Sequence, residues 1–117
     1  MSIRTERVAA EIRRVLSETL ARDIDTGDFG LLTVTEVSLS ADLRNARVFV
    51  SHYHSGKSNQ QVLAFFEQYA KELRMAVGRG VRLKFTPELK FVIDESLERA
   101  ERLEQLFKQI HEDEKNR

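Results

Sequence analysis

A chain of 117 residues, 41% of them apolar and 32% charged, is long enough for one domain around a single modest core. It has no cysteine, which excludes a disulfide framework and thiolate metal sites, and no apolar run approaches the length that spans a bilayer. Its formal net charge is zero, which argues against nonspecific coating of DNA, and its charged N-terminus lacks the apolar core of a signal peptide, so we expect a cytoplasmic protein.

The first half of the chain shows the patterns of a helix, a β-hairpin and a second helix. Apolar residues at four-residue spacing predict a helix over residues 3–22. Residues 31–40 and 46–53 are rich in β-branched residues and alternate in polarity, which predicts two strands joined by a turn. The apolar phase of the first strand changes near Glu36, which predicts a bulge there. Ser58, with glutamine three residues later, has the spacing of a capping box that begins the next helix.

The second half predicts a kinked helix, a strand and a last helix. Gly78 and Gly80 weaken the second helix, so we predict that it kinks or ends there, with a further helical stretch after a kink. From residue 81 to residue 93 the odd-numbered apolar residues, Phe85 among them, share one face of a predicted strand that Pro87 breaks or confines to an edge. Asp94 or Ser96 caps the last helix. The order α-β-β-α-kink-α-β-α is that of a two-layer α+β domain with helices on one face of the sheet.

Basic residues are concentrated in two segments. Residues 71–92 hold six Lys/Arg and two Glu, a net charge of +4, and residues 1–22 hold five Arg and three Glu, a net charge of +2. If folding brings them together beside exposed helix amides, they would bind a phosphate backbone. We predict that Ala76 and Gly78 set the backbone geometry, and that the contacts come from Arg7, Arg14, Arg74, Arg79, Arg82 and Lys84. A solvated basic face beside an ordinary helix end is the alternative that composition leaves open.

Other motifs have simpler interpretations. The string Gly27-Asp28-Phe29-Gly30 is a turn, because its aspartate would repel phosphate. His52 and His54 lack the further ligands of a closed metal site. Phe49 and Tyr53 could stack on bases, but a role in cross-strand packing is favoured. Neither a Walker pattern nor a readable catalytic triad is present, so we predict no enzymatic activity, no metal, no cofactor and no small-molecule substrate.

Several strings spread over nearly the whole chain form a recognisable set. They are Arg7-Val8-Ala9 with Ile12, Asp42-Leu43-Arg44-Asn45-Ala46-Arg47-Val48-Phe49-Val50-Ser51, Leu73-Arg74 with Ala76-Val77-Gly78, Arg82-Leu83-Lys84, Pro87-Glu88-Leu89 with Phe91, and Asp94-Glu95-Ser96-Leu97-Glu98. The most specific is P-E-L-x-F-x-x-D-x-S behind the hairpin. The set resembles the ribosome-binding factor A family.

The resemblance implies a KH-like domain of the second type, over residues 1–112 with a frayed tail at 113–117, in which Ala76-Val77-Gly78 replaces the usual glycine loop. It further implies a monomer without catalytic activity that binds the 30S ribosomal subunit and its 16S rRNA. Such a factor assists late maturation, including processing of the 16S rRNA 5′ end, and matters in growth at low temperature. Many members have longer, basic C-terminal tails, whereas this chain ends in acidic residues, so no role of such a tail is carried over.

Two other functions fit the same residues. One is a general KH-type module that binds single-stranded RNA away from the ribosome, which predicts tight binding to short unstructured oligonucleotides. The other is a protein-interaction scaffold that works through the acidic terminal helix. Reversal of the charges of Arg79 and Arg82 discriminates between the RNA-binding and scaffold interpretations, because only the former depends on these cations.

Overall fold

The computed structural model describes residues 3–115, except for the side chains of residues 97–99, 101, 102 and 115. Within this range the chain forms four helices and three strands, and the order α-β-β-α-α-β-α confirms the predicted α+β class. The elements are α1 (Ile3–Arg22), β1 (Leu31–Leu39), β2 (Asn45–Tyr53), α2 (Asn59–Gln68), α3 (Ala70–Gly80), β3 (Glu88–Ile93) and α4 (Ser96–Lys115). None of these helices is both long and apolar enough to cross a membrane.

Strands β1 and β2 form the predicted antiparallel hairpin. Their register shifts between Val34 and Glu36, which confirms the bulge and explains why the buried phase of β1 changes along the strand. Asp42 stabilises the turn, since its Oδ1 accepts hydrogen bonds from the Ser40 hydroxyl at 2.7 Å and from the Arg44 N–H at 3.0 Å. These two bonds, first that from Ser40, lower the pKa of the Asp42 carboxyl below its usual value.

Strand β3 pairs in parallel with β2, which gives the sheet order β1-β2-β3. This strand is shorter than predicted, because it begins only at Glu88, and residues 81–87 form an irregular segment. Pro87 is fully buried at the junction, where its missing N–H cannot join the ladder. Phe85 was therefore wrongly placed on one strand face with Phe91: Phe91 is buried, whereas 51% of the surface of Phe85 is exposed.

Helices α1, α2 and α3 cover one face of the sheet. The core is made of their apolar residues and the inward residues of the strands, and Phe66 of α2 stacks on Phe91 of β3 with ring centroids 5.3 Å apart. Ser58 forms the predicted capping box with Gln61 at the start of α2. Packing of α1 against both β1 and α3 closes the layer.

The predicted kink at Ala76-Val77-Gly78 is wrong. Residues 70–80 form one continuous helix, and the interruption lies earlier, at Tyr69, whose φ of −100° and ψ of 9° separate α2 from α3. A glycine inside a helix costs about 1 kcal/mol relative to alanine, which the burial of Leu73 and Val77 on the same helix outweighs. Gly78 therefore weakens α3 without interrupting it, whereas the helix ends at Gly80, the second glycine at which a kink or an end was predicted.

Helix α4 is fixed to the sheet at its start, and its side chains at positions 103–114 are exposed. Asp94 accepts a hydrogen bond from the Ser96 N–H at 2.9 Å, as predicted, and another from the Thr35 hydroxyl at 2.6 Å. The large apolar side chains that the structure describes on this helix are exposed in a row: Leu103, Leu106, Phe107 and Ile110. The helix continues to Lys115, and residues 116–117 of the predicted frayed tail lie outside the described residues.

Candidate nucleic-acid interface

The two basic segments of the sequence meet where α1 packs against α3. Gly80 approaches α1 so closely that a Cβ atom at this position would lie 2.9 Å from the Val15 Cγ2 atom. Arg14 and Arg79 each precede one of these contacting residues and are exposed on adjoining helices. Arg7 lies two turns before Arg14, and this spacing puts both on one face of α1. Packing of two helices thus gathers charge that is dispersed in the sequence.

These arginines differ in how free their charges are. Arg14 forms an exposed ion pair with Glu18 at 3.3 Å, which water and salt screen strongly. Arg79, Arg82 and Lys84 are all exposed, and no ion pair joins any of them to a residue that the structure describes. Cations without an acidic neighbour keep their full attraction for an external anion. The C-terminal end of α3 and the segment after it therefore carry the most available positive charge of the predicted set.

Arg74, one of the predicted RNA contacts, also bonds to the backbone of its own chain. Its Nε and one terminal nitrogen donate hydrogen bonds to the carbonyl oxygens of Pro87, at 3.2 Å, and Thr86, at 2.9 Å. The same terminal nitrogen lies 3.3 Å from the Glu88 carboxylate. A guanidinium has five N–H donors, so an anion could still contact those that remain. The main effect of Arg74 is to hold segment 81–87 against α3.

Ala76 and Gly78 also act through packing. Ala76 lies on the buried face of α3. Gly78 is exposed and lies within the same continuous helix, two residues before its end. A Cβ atom at Gly78 would lie 3.0 Å from the Thr86 Oγ1 atom, so the glycine lets segment 81–87 approach the helix. The exposed amides expected at this point are absent, and the interruption at Tyr69 carries no glycine or proline that would have revealed it in the sequence.

A groove of about 600 Å³ lies between α3 and the segment that leads into β3. Its walls include the cations Lys71, Arg74 and Lys84 and two half-exposed apolar side chains, Met75 and Phe85. The acid at its edge, Glu88, is paired with Arg74. The sequence predicted the charge of this region, but it missed Met75 and Phe85, because alternation placed the phenylalanine on the apolar face of a strand.

The face of the sheet opposite the helices also carries two exposed cations. Arg47 of β2 and Lys90 of β3 are exposed neighbours in the parallel register. Phe49, two residues along β2, is half-buried, and Tyr53 has 44% of its surface exposed. The His52 ring nitrogens lie 2.5 Å from the Ser55 Oγ and 2.9 Å from the Asn59 Oδ1. That ring is therefore part of a local hydrogen-bonded turn.

Comparison with known proteins agrees with this architecture. The sequence model of the family described as ribosome-binding factor A matches residues 4–107 of the chain. This chain belongs to the ribosome-binding factor A family. Ribosome-binding factor A of Natranaerobius thermophilus is 36% identical over 114 residues, which cover 97% of this chain and 87% of that protein.

Solved structures of the ribosome-binding factor A family share the fold. The crystal structure of the Thermus thermophilus protein has a TM-score of 0.67 and 28% identity, covering 76% of this chain and 94% of that one. A homology model of the Thermus thermophilus factor, fitted into an electron cryo-microscopy map of a 30S complex, has a TM-score of 0.64 and 26% identity and covers 78% and 96% of the two chains. The fold is therefore the KH-like α+β fold that the sequence strings predicted.

Proposed function

We propose that this chain is a noncatalytic assembly factor that binds the 30S ribosomal subunit through its 16S rRNA. Membership of the ribosome-binding factor A family supports this proposal, as does the 30S complex of the Thermus thermophilus relative. In this role the chain would act in the cytoplasm as a monomer. It would hold the RNA of a precursor subunit in one folded arrangement during late maturation, and other enzymes would then process the 16S rRNA 5′ end.

The observation that carries the proposal is the group of exposed cations without ion pairs to described residues at the end of α3: Arg79, Arg82 and Lys84. Phosphate contacts by such side chains supply most of the sequence-independent affinity for a nucleic acid, because each contact releases condensed counterions. Arg14 and Arg7 would extend the contact along α1, if the RNA crosses from α3 onto the helix that packs against it. Specificity would come from the shape of the folded RNA, since these contacts read no bases.

The test is cosedimentation of the protein with mature and precursor 30S subunits over a series of salt concentrations. We expect the Arg79→Glu, Arg82→Glu double variant to lose association at moderate salt, and each lost phosphate contact to reduce the slope of log affinity against log salt by roughly one. A matched control reverses Arg47 and Lys90, which changes the net charge equally on the opposite face of the sheet.

Two results would contradict the proposed surface. If the Arg79, Arg82 variant cosediments as the unchanged protein does, the basic end of α3 is not the contact. If both double reversals weaken association equally, the protein responds only to net charge. A preference for short unstructured oligonucleotides over subunits would favour the general single-stranded RNA module.

The exposed apolar row of α4, which includes Leu106 and Phe107, favours a second candidate, contact with a protein through that helix. This function would leave binding intact in both charge-reversed variants. Replacement of Leu106 and Phe107 by serine would then abolish association while the basic surface stays unchanged.

A further inference from the structure

Phe85 is an exposed aromatic residue on a segment that is held in place from both sides. Arg74 binds the carbonyl oxygens of Thr86 and Pro87, the two residues that follow Phe85 in the chain. Pro87 is fully buried, and the Thr86 hydroxyl lies against Gly78 of α3. A ring with 51% of its surface exposed is thus carried on a fixed backbone. Such preorganisation reduces the entropy that a ligand must offset on binding.

Cationic groups surround this ring. The Arg44 guanidinium carbon lies 4.6 Å from the centroid of Phe85, and the Lys84 ammonium lies 5.6 Å from it. The position of Arg44 is itself fixed, because its carbonyl oxygen accepts a hydrogen bond of 2.9 Å from the Glu88 N–H. These cations hold the ring in position by cation–π interactions, and their positive charge also attracts a phosphate to the vicinity of the ring.

The ring also forms a wall of the groove beside α3. Met75, likewise 51% exposed, lines the same groove, whereas Arg44 is not among its lining residues. The groove is therefore bordered by Phe85 and Met75 and not by Arg44. At about 600 Å³, this space lies within the range of roughly 300–1,000 Å³ that is typical of small-ligand sites. Apolar walls with cations at the rim suit a flat, weakly polar group that is attached to an anion.

We propose that an unpaired RNA base stacks on Phe85 in this groove and that the phosphates on either side of this nucleotide contact Lys84 and Lys71. This inference rests on the proposed function and adds to it a class of substrate. A base within a duplex keeps both faces stacked, so the RNA at this point is a single strand, a bulge or a loop. Aromatic side chains stack on any base, and the site accordingly selects unpaired nucleotides with little preference for sequence.

The test compares Phe85→Leu, which keeps an apolar side chain but removes the aromatic face, with Phe85→Tyr, which keeps that face. The probes are 30S precursor subunits and single-stranded RNA hexamers, with the same hexamers carrying one abasic position. We expect Phe85→Leu to bind both probes about tenfold more weakly with an unchanged salt slope, since stacking involves no phosphate contact. Phe85→Tyr keeps full affinity, and Tyr53→Leu, which removes an exposed ring at the other end of β2, is the matched control.

The abasic hexamers give a second measurement that does not depend on the stability of the variant. The unchanged protein should lose affinity about tenfold at the abasic position that faces the ring, whereas Phe85→Leu should bind intact and abasic hexamers equally. The proposal is overturned if the unchanged protein tolerates every abasic position, or if Phe85→Leu binds as tightly as Phe85→Tyr.

The outcome also separates this inference from the proposed function. If Phe85→Leu keeps full affinity while the Arg79, Arg82 reversal loses binding, the stacking site is contradicted and the proposed function still holds. If both variants keep full affinity, both the stacking site and the basic surface at the end of α3 are contradicted. Equal affinity of Phe85→Leu and Phe85→Tyr, with weaker binding of Phe85→Ala to subunits alone, would show that an apolar protein side chain occupies the groove.

Discussion

The guanidinium of Arg74 donates a 2.9 Å hydrogen bond to the carbonyl oxygen of Thr86. This bond, with its neighbour to Pro87, joins α3 to the segment before β3. Arg74→Lys should lower the free energy of unfolding by about 1–2 kcal/mol, because one ammonium cannot reproduce the fork of two donors. Urea denaturation measures the loss. Arg82→Lys, a change at an exposed neighbour, should alter stability by less than about 0.5 kcal/mol, and equal effects of the two variants would contradict this role of Arg74.

The contact between Gly80 and Val15 predicts a different kind of sensitivity. Gly80→Ala adds a Cβ atom 2.9 Å from a buried methyl group and should destabilise the protein by about 1–3 kcal/mol, although alanine favours a helix. In a Val15→Ala background the same change should cost much less, since the opposing methyl groups are gone. A double-mutant cycle followed by thermal unfolding measures this coupling. Additive effects would show that the helices do not meet here.

Asp42 should make the hairpin sensitive to acid. Its pKa is lowered in the folded state, so its contribution is complete above the unfolded pKa of about 3.9 and is lost as the pH falls through the lower folded value. Asp42→Asn keeps an acceptor for Ser40 and Arg44 but removes this titration. Urea midpoints measured from about pH 5 down to about pH 2 should therefore fall less steeply in the variant. Parallel curves for the two proteins would disprove the assignment.

Thr35, the extra residue of the bulge, anchors the start of α4. Its hydroxyl lies 2.6 Å from the Asp94 Oδ2 and 3.3 Å from the Phe49 carbonyl oxygen. Thr35→Val keeps the shape but removes the hydroxyl hydrogen that is donated chiefly to Asp94, at a cost of about 1–2 kcal/mol. Faster hydrogen exchange in the first turn of α4 would report the loss of the anchor. Thr33→Val, at an exposed position of the same strand, is the control and should leave exchange in α4 unchanged.

The predictable parts of the fold are those that short-range chemistry decides. Alternation located β1 and β2, the phase change at Glu36 located the bulge, and Ser58 located the start of α2. The break at Tyr69 was not predictable, because neither glycine nor proline marks it and the direction of α3 depends on packing against α1. Phe85 was misassigned for a related reason, since contacts distant in sequence override a local alternating pattern.

The candidate site shows the same division. Net charge by segment located a cationic surface of the fold, because charges must remain at the surface whatever the fold. It did not distinguish Arg74, which bonds to two carbonyl oxygens, from Arg79, which is free of ion pairs with described residues. That difference depends on where the chain after Gly80 turns, and no residue near this turn determines its path alone.

The parallel pairing of β2 with β3 affects how the chain must be made. Residues 88–93 are synthesised late, yet they complete the sheet beside its central strand and supply Phe91 to the interior. Until these residues are synthesised, the nascent polypeptide exposes an unpaired edge of β2 next to valines that are buried in the folded protein. Such an edge can pair with other chains. A premature stop codon between positions 80 and 88 should therefore yield insoluble protein rather than a smaller functional domain.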